Sequence, residues 1–229
     1  MAAGRKGGQG VAVLLALSLA APLLVLVSAL LTRAGGLSLE TGYDLLTMGI
    51  GWWLAIAGAA AALGAVVLAL RDLRRLGLMA LAAVLAAGGT LGGYVWHNGR
   101  QAGAPSEDIS TDLAEIPGFG DLGDQRGNQG PRVTAGVEAC PGALPVMKQI
   151  APESAIWALE KAGFTIRGAG VARADGTREG FWFGFDHDAV IRIRPGRTDI
   201  RVAARDARSH GGDACALVST ISAALQPAS

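Results

Sequence analysis

Three consecutive residues, Asp186-His187-Asp188, and a further histidine, His210, are of types that ligate metals or carry protons in hydrolases. A metal centre would require both imidazoles to converge on one ion, each at about 2.0–2.1 Å. Adjacent residues project in different directions, so the triplet favours a sharp turn between strands. The chain has no zincin motif, phosphate-binding glycine loop or nucleophile elbow around Ser209. We therefore predict no catalytic residue, no metal site and no cofactor, and keep a membrane-bound metal-dependent hydrolase using these residues as the alternative.

A second group of residues could bind an anion. Two strands predicted over residues 189–194 and 198–205 flank the turn Pro195-Gly196, which places Arg192 directly across from Asp199. Isoleucine and valine occupy one face of this hairpin, and charged residues occupy the other. The candidate ligand-binding residues are Arg192, Arg194, Asp199, Arg201 and Arg205. Such a face could bind a lipid phosphate or a carboxylate. The pattern is also that of the solvated side of an antiparallel sheet, which we favour.

Cys140 and Cys215 are the only cysteines, and they do not have the spacing of metal-ligand cysteines. Both follow the last apolar run of the sequence. If this part of the chain lies in an oxidising compartment, the two thiols should be joined. We therefore predict a disulfide between the loop before the first helix of the domain and the start of its last helix.

The elements that position these residues follow from local signals. A helix over 152–162 begins at a proline and ends at a glycine, and a second helix over 213–225 has an apolar stripe. Strands over 164–173 and 177–185 flank Asp175-Gly176, a typical hairpin turn. Together with the second hairpin, these elements predict an α+β domain over 150–229. It should have an antiparallel four-stranded sheet with both helices on one face.

Alternating aromatic residues mark the expected centre of that core. Phe181, Phe183 and Phe185 would share one face of a strand. Core packing is favoured over a stacking platform for a ligand. The preceding segment, 100–149, is predicted to be a tether and an irregular acidic segment. Its carboxylates, which could hold a cation, lack the spacing of a calcium loop, so capping and solvation are favoured.

The first 99 residues are predicted to form a membrane domain. Three apolar runs, about 11–31, 50–70 and 76–96, are each long enough for one helical span of about 20 residues. The first run exceeds the usual core of a signal peptide, so an uncleaved anchor is favoured over cleavage. Glycines four apart in the third run, Gly88 with Gly92 and Gly89 with Gly93, predict close packing within the chain, in preference to dimerisation.

The short loop Arg71-Asp72-Leu73-Arg74-Arg75 sets the predicted orientation. Lysine and arginine accumulate in cytoplasmic loops, and Arg5 and Lys6 would lie on the same side as this loop. The amino terminus is therefore expected in the cytoplasm. The domain after residue 96 is expected to be periplasmic or otherwise extracytoplasmic, so that the protein is a multi-pass protein of a bacterial inner (plasma) membrane.

Several short motifs give the carboxy-terminal half a family resemblance. They are Asp108-Ile109-Ser110-Thr111-Asp112, Phe183-Gly184-Phe185, Val190-Ile191-Arg192 and Asp199-Ile200-Arg201. With these motifs, residues 105–225 resemble a bacterial membrane-anchored "domain of unknown function" family, in which a small periplasmic αβ domain follows the membrane spans. The chain departs from that pattern where the family has other polar residues, at His187, Val202, Ala204, His210 and Ala214. The resemblance implies the fold and carries no established activity.

Composition limits the possible partners. The net charge is +1, so the sequence does not have the excess of basic residues that is typical of nucleic-acid-binding proteins. The expected partners are the lipid bilayer and either an anionic envelope ligand or a membrane protein. The sequence thus predicts an inner-membrane protein presenting a non-catalytic periplasmic domain that binds an envelope component: a lipid headgroup, a cell-wall element or a protein.

Overall fold

The computed structural model describes residues 2–126, 130–131 and 133–226, with side chains from residue 8 onward. The chain divides into two compact units, Met1–Gly99 and Arg100–Ser229. We call them the helical unit and the carboxy-terminal domain.

The helical unit is built from α1 (Ala2–Arg33), α2 (Trp52–Ala69) and α3 (Leu73–Gln101), with a π-helical segment, Glu40–Gly51, leading directly into α2. Three helical stretches are long and apolar enough to cross a membrane: Gly8–Arg33, Glu40–Ala69 and Leu73–Gln101. Each predicted apolar run falls within or closely overlaps one of them. The second stretch starts at Glu40 rather than near residue 50, since an acidic side chain is favourable in the first turn of a helix.

Small and hydroxyl-bearing residues join α1 to the helix that follows it. Ser18 donates its hydroxyl to the carbonyl of Gly58 at 3.0 Å, and Ser28 donates to the carbonyl of Gly42 at 2.6 Å. A Cβ at Gly58 would lie 3.3 Å from the backbone of Ser18. The glycine pairs of α3 behave differently from the prediction. Outside the helix backbone, no described atom lies within 4 Å of the Cβ position of Gly88, Gly89, Gly92 or Gly93. The close approach therefore involves α1 rather than α3.

The carboxy-terminal domain contains an antiparallel sheet of five strands, not the four that were predicted. They are β1 (Asp108–Ser110), β2 (Thr165–Gly170), β3 (Arg173–Arg178), β4 (His187–Arg194) and β5 (Arg197–Ala204), in the order β1-β5-β4-β3-β2. The additional strand, β1, comes from the segment predicted to be a tether and irregular. It has only three residues, too few for an alternating pattern to identify it.

Two helices cover one face of this sheet, as the sequence predicted. α5 (Pro152–Lys161) packs mainly against β2 and β3, and α6 (Asp213–Leu225) packs against β5 and β1, and both helices contribute to one apolar core. The fully buried residues of this core include Leu159, Ile191, Ile200, Val202, Val218 and Ile221. The opposite face is not a simple solvated surface. A short helix, α4 (Asp121–Arg126), and the chain before it place Phe119 and Leu122 over Val190 and Ala203.

One of the two predicted hairpins is confirmed, and the turn of the other was placed incorrectly. The β4–β5 hairpin is confirmed, including the pairing of Arg192 with Asp199. The turn of the β2–β3 hairpin was misplaced, because Asp175 and Gly176 lie inside β3. Residues 179–186 are not a strand, and Phe181 and Trp182 are 74% and 54% exposed. Phe183 has a φ of 56°, which an extended strand does not accommodate.

Candidate functional site

The five predicted ligand-binding residues lie near one another but belong to separate ion-pair groups. In the first group, Asp199 is fully buried and accepts hydrogen bonds from Arg192, Arg194 and Arg197. The Arg194 Nη2 to Asp199 Oδ2 distance is 2.5 Å, and the Arg197 Nε to Asp199 Oδ1 distance is 2.7 Å. One carboxylate therefore holds three guanidinium groups, and the alternation of β4 and β5 brings them to the same face.

Two further carboxylates complete this arginine cluster, which we define as Arg192, Arg194 and Arg197 with their acidic partners. Asp112 Oδ2 lies 3.1 Å from Arg192 and 2.9 Å from Arg194. Burial opposes ionisation of Asp112, but backbone N–H groups and Arg194 outweigh it, so the pKa of Asp112 is lowered. Glu115 contacts Arg194 at 2.5 Å with a side chain that is 69% exposed. Three negative charges thus balance three positive charges, and Glu115 is the partner most open to replacement.

Arg201 belongs to a second group. Its Nε and Nη2 atoms donate to the two carboxylate oxygens of Asp108 at 2.9 and 2.6 Å. The guanidinium lies 4.5 Å from the ring centroid of Phe119, and that of Arg126 lies 4.2 Å from the same ring. Both cations therefore stack on one aromatic ring, an arrangement that stabilises desolvated guanidinium groups.

Arg205 belongs to a third group, around a buried aspartate. Asp188 has no exposed surface, and it accepts hydrogen bonds from Arg126, Arg205 and Thr177 at 2.9–3.0 Å. The hydrogen bond that Arg205 donates to Asp188 raises the pKa of Arg205, whereas burial lowers the pKa of Arg126. Arg201 and Arg205 therefore do not line one open site together with Arg192 and Arg194.

The side chains of Asp186, His187 and Asp188 do not converge on one site either. Asp188 belongs to the arginine group just described, and Asp186 accepts a hydrogen bond from the backbone N–H of Gly180 at 3.3 Å. Burial raises the pKa of Asp186. The predicted turn is also wrong at this point, since His187 is the first residue of β4. Only His187 is directed to the position where His210 lies.

His187 and His210 converge, which was the condition set for a metal centre. His187 Nε2 lies 3.3 Å from His210 Nδ1 and 3.7 Å from Glu107 Oε2. We call Glu107, His187 and His210 the Glu-His-His cluster, and their ligand atoms all lie within 4.8 Å of one another. The three residues are 4%, 2% and 7% exposed. Phe185 forms one wall, with its ring centroid 4.5 Å from that of His210.

Glu107 is held in the cluster by the loop before α6. Its carboxylate accepts hydrogen bonds from the backbone N–H groups of His210, Gly212 and Ala214 at 2.8–3.0 Å. Burial opposes ionisation of this carboxyl, but His187 and the backbone donors outweigh it and lower the pKa of Glu107 to about 2. The carboxylate is therefore charged in the folded protein, in the position that favours the start of a helix.

A second carboxylate orients His210 from the other side. Asp206 lies 3.1 and 3.3 Å from His210 Nε2 through its two oxygens. Burial raises the pKa of Asp206, but the interaction with His210 outweighs this and the pKa is lowered overall. When Nε2–H donates to Asp206, the lone pair of Nδ1 faces His187 and Glu107. A neutral imidazole in this tautomer is a metal ligand.

Glu107 and Asp206 were missed by the sequence analysis. The four-residue spacing of Asp206 and His210 was a possible signal for their contact. No local signal exists for Glu107, which is 103 residues from His210 in sequence. The Cys140–Cys215 disulfide was predicted correctly, with an S–S distance of 2.02 Å and a Cα–Cα distance of 5.6 Å.

Comparison of the chain with models of protein families, with curated proteins and with solved structures found no match. The functional conclusion consequently depends on the geometry of the two clusters and on the three apolar helices.

Proposed function

We propose that this chain is a multi-pass protein of the bacterial plasma membrane that holds a non-catalytic α+β domain on the outer side, where the domain binds a component of the cell envelope. The observation that carries the proposal is the disulfide between Cys140 and Cys215 in a domain that follows three apolar helices. Disulfides persist in oxidising compartments and are rare in the cytoplasm.

The distribution of basic residues supports the same orientation. Arg71 lies in the loop between α2 and α3, Arg74 and Arg75 lie in the first turn of α3, and the amino-terminal end carries Arg5 and Lys6. Short loops rich in arginine and lysine stay in the cytoplasm. With three spans, an amino terminus on the inside leaves the chain after α3 on the outside.

The arginine cluster is the proposed site for an anionic ligand. Among its acidic partners, Asp112 and Asp199 have side chains 9% and 0% exposed, whereas that of Glu115 is 69% exposed. A carboxylate on a ligand could replace Glu115 and receive the same two-arginine contact from Arg192 and Arg194. Arg201 and Arg205 support this face through their own aspartates and are not expected to touch the ligand directly.

Reporter fusions test the orientation of the full-length protein. An alkaline-phosphatase reporter that folds only in an oxidising space, fused after Ser229, is expected to be active. A fluorescent protein that matures only in the cytoplasm is expected to be dark at Ser229 and bright ahead of Met1, which provides the matched control. A bright carboxy-terminal fusion with an inactive phosphatase would overturn the proposal.

A membrane-bound metal-dependent hydrolase is the second candidate, because His187 and His210 lie 3.3 Å apart. Catalytic metal sites keep an open coordination position for water and substrate. The cluster is nearly inaccessible, and Asp188 is held by two arginines, so the geometry favours the non-catalytic proposal. Metal-dependent hydrolysis of a nitrophenyl ester or phosphate that disappears in His187→Gln would instead support the hydrolase.

A further inference from the structure

The Glu-His-His cluster has the dimensions of a metal site. Four-coordinate zinc binds nitrogen and oxygen ligands at about 2.0–2.2 Å, which places neighbouring ligand atoms of a tetrahedron about 3.3–3.6 Å apart. The observed separations are 3.3 Å between His187 Nε2 and His210 Nδ1, and 3.7 Å between His187 Nε2 and Glu107 Oε2. The third pair of ligand atoms, from Glu107 and His210, lies within 4.8 Å. Side-chain movements of up to about 1 Å would therefore place the three atoms around one ion.

The surrounding groups hold two of the three ligands in the required orientation. Asp206 interacts with Nε2 of His210, so that Nδ1 is left to face the cluster. This carboxylate–histidine arrangement is the usual outer shell of a metal-bound histidine. The three backbone N–H groups that bind Glu107 fix its carboxylate and leave lone pairs directed at His187.

Charge and ligand type indicate which ions would fit. Glu107 and Asp206 supply two negative charges, and Arg208 lies 3.6 Å from the outer side of Asp206. Because Arg208 already offsets part of the charge of Asp206, a bound cation would mainly compensate Glu107, in a site with little access to water. Two imidazole nitrogens and one carboxylate suit first-row transition metals, whereas magnesium and calcium prefer oxygen ligands.

We propose that Glu107, His187 and His210 bind one divalent transition-metal ion, with zinc as the best fit, through Oε2, Nε2 and Nδ1. This differs from the sequence-based prediction of no metal site, and it does not depend on which side of the membrane the domain occupies. The ion would join the residue before β1, the start of β4 and the loop before α6. Because the cluster is buried, the ion would stabilise the domain rather than act on a substrate.

Metal binding can be measured directly on the full-length protein in detergent, purified without a polyhistidine tag and stripped with EDTA. Titration with zinc chloride by calorimetry is expected to give saturable binding of one ion per chain. Zinc is also expected to raise the unfolding temperature, because an ion that binds only the folded state stabilises that state. Cobalt(II) is expected to produce the visible absorption of a tetrahedral site.

Matched substitutions separate this site from adventitious binding. His187→Gln and His210→Gln should abolish the one-ion binding, whereas His97→Gln, which removes a histidine of the helical unit, should leave it unchanged. Asp206→Asn should keep the stoichiometry and weaken zinc affinity by about 10–100-fold, as expected for a positioning residue. Unfolding temperatures measured in EDTA establish that each variant is folded.

Two results would overturn the metal site. One is the absence of saturable zinc binding by the folded, EDTA-stripped wild type. The other is zinc binding by folded His187→Gln and His210→Gln that equals binding by His97→Gln. Either result would leave the cluster as a chain of polar contacts from Glu107 to Asp206 with a purely structural role.

Discussion

Arg201 and Asp108 form a two-pronged ion pair that fastens the edge strand β1 to β5. The two nitrogen–oxygen distances are 2.9 and 2.6 Å, and the side chains are 18% and 5% exposed. Arg201 also donates to the carbonyl of Pro117 at 2.9 Å. This single guanidinium therefore connects a three-residue strand, the loop that follows it and the neighbouring strand β5.

Asp108→Asn is expected to destabilise the domain by about 1–3 kcal/mol, because it leaves the partly buried Arg201 without its charge partner. The matched control is Asp213→Asn, which breaks the Arg100–Asp213 pair, whose side chains are 42% and 41% exposed. That change should cost less than about 1 kcal/mol, since exposed pairs contribute little. The unfolding temperatures of the full-length variants in detergent measure both effects. Equal shifts would show that burial of the Arg201–Asp108 pair has no energetic consequence.

The disulfide should protect both cysteines and stabilise the domain. Cys140 and Cys215 are 75 residues apart, and closing a loop of this length contributes about 4.5 kcal/mol in the chain-entropy description. Alkylation of the denatured full-length protein should modify neither thiol without reductant and both after reduction, as read by mass spectrometry. The double substitution to serine should lower the unfolding temperature in the absence of reductant. Modification of both cysteines without reductant would contradict the disulfide.

Local signals predicted the parts of the fold that depend on neighbouring residues. Alternating isoleucine and valine around Pro195-Gly196 gave the β4–β5 hairpin and its register, and glycines followed by an apolar stripe gave α6. The same logic failed for Phe181 and Phe183. Their alternation resembled a strand, but Phe183 adopts a positive φ and Gly184 follows it with a φ of 69°. Tertiary packing of Phe183 on Phe185, and of Phe185 on His210, decides this segment instead.

The Glu-His-His cluster could not be predicted because its members come from three distant segments. Glu107 reaches His210 only because β1 pairs with β5 at the edge of the sheet. No pattern within a three-residue strand reports that pairing. The arginine face was recognised from alternation, yet the carboxylates that neutralise it, Asp112 and Glu115, lie on a segment taken for an irregular tether.

Asp112 should make stability depend on pH. Its folded-state pKa is lowered, with the backbone N–H groups and Arg194 overcoming the effect of burial. It therefore contributes stability above the pKa of an unfolded aspartic acid, about 3.9, and this contribution is lost as pH falls through the lower folded pKa. The unfolding temperature of wild type should fall more steeply below about pH 4 than that of Asp112→Asn. Parallel pH profiles for the two proteins would exclude this role of Asp112.

Glu115→Gln should convert the arginine cluster into an available carboxylate site. Substituting the arginines is a poor test, because the side chains of Arg192 and Arg194 are only 20% and 32% exposed and bind the buried Asp199. Glu115 is mostly exposed, so its loss should change stability by less than about 1 kcal/mol. It should leave one uncompensated positive charge on Arg192 and Arg194. Succinate, used as the probe, should then raise the unfolding temperature of Glu115→Gln more than that of wild type.

The control is Glu153→Gln, which replaces an acidic residue of α5 outside the cluster and should respond to succinate like wild type. An identical response of all three proteins would remove the arginine cluster as the anion site, whatever the orientation of the domain.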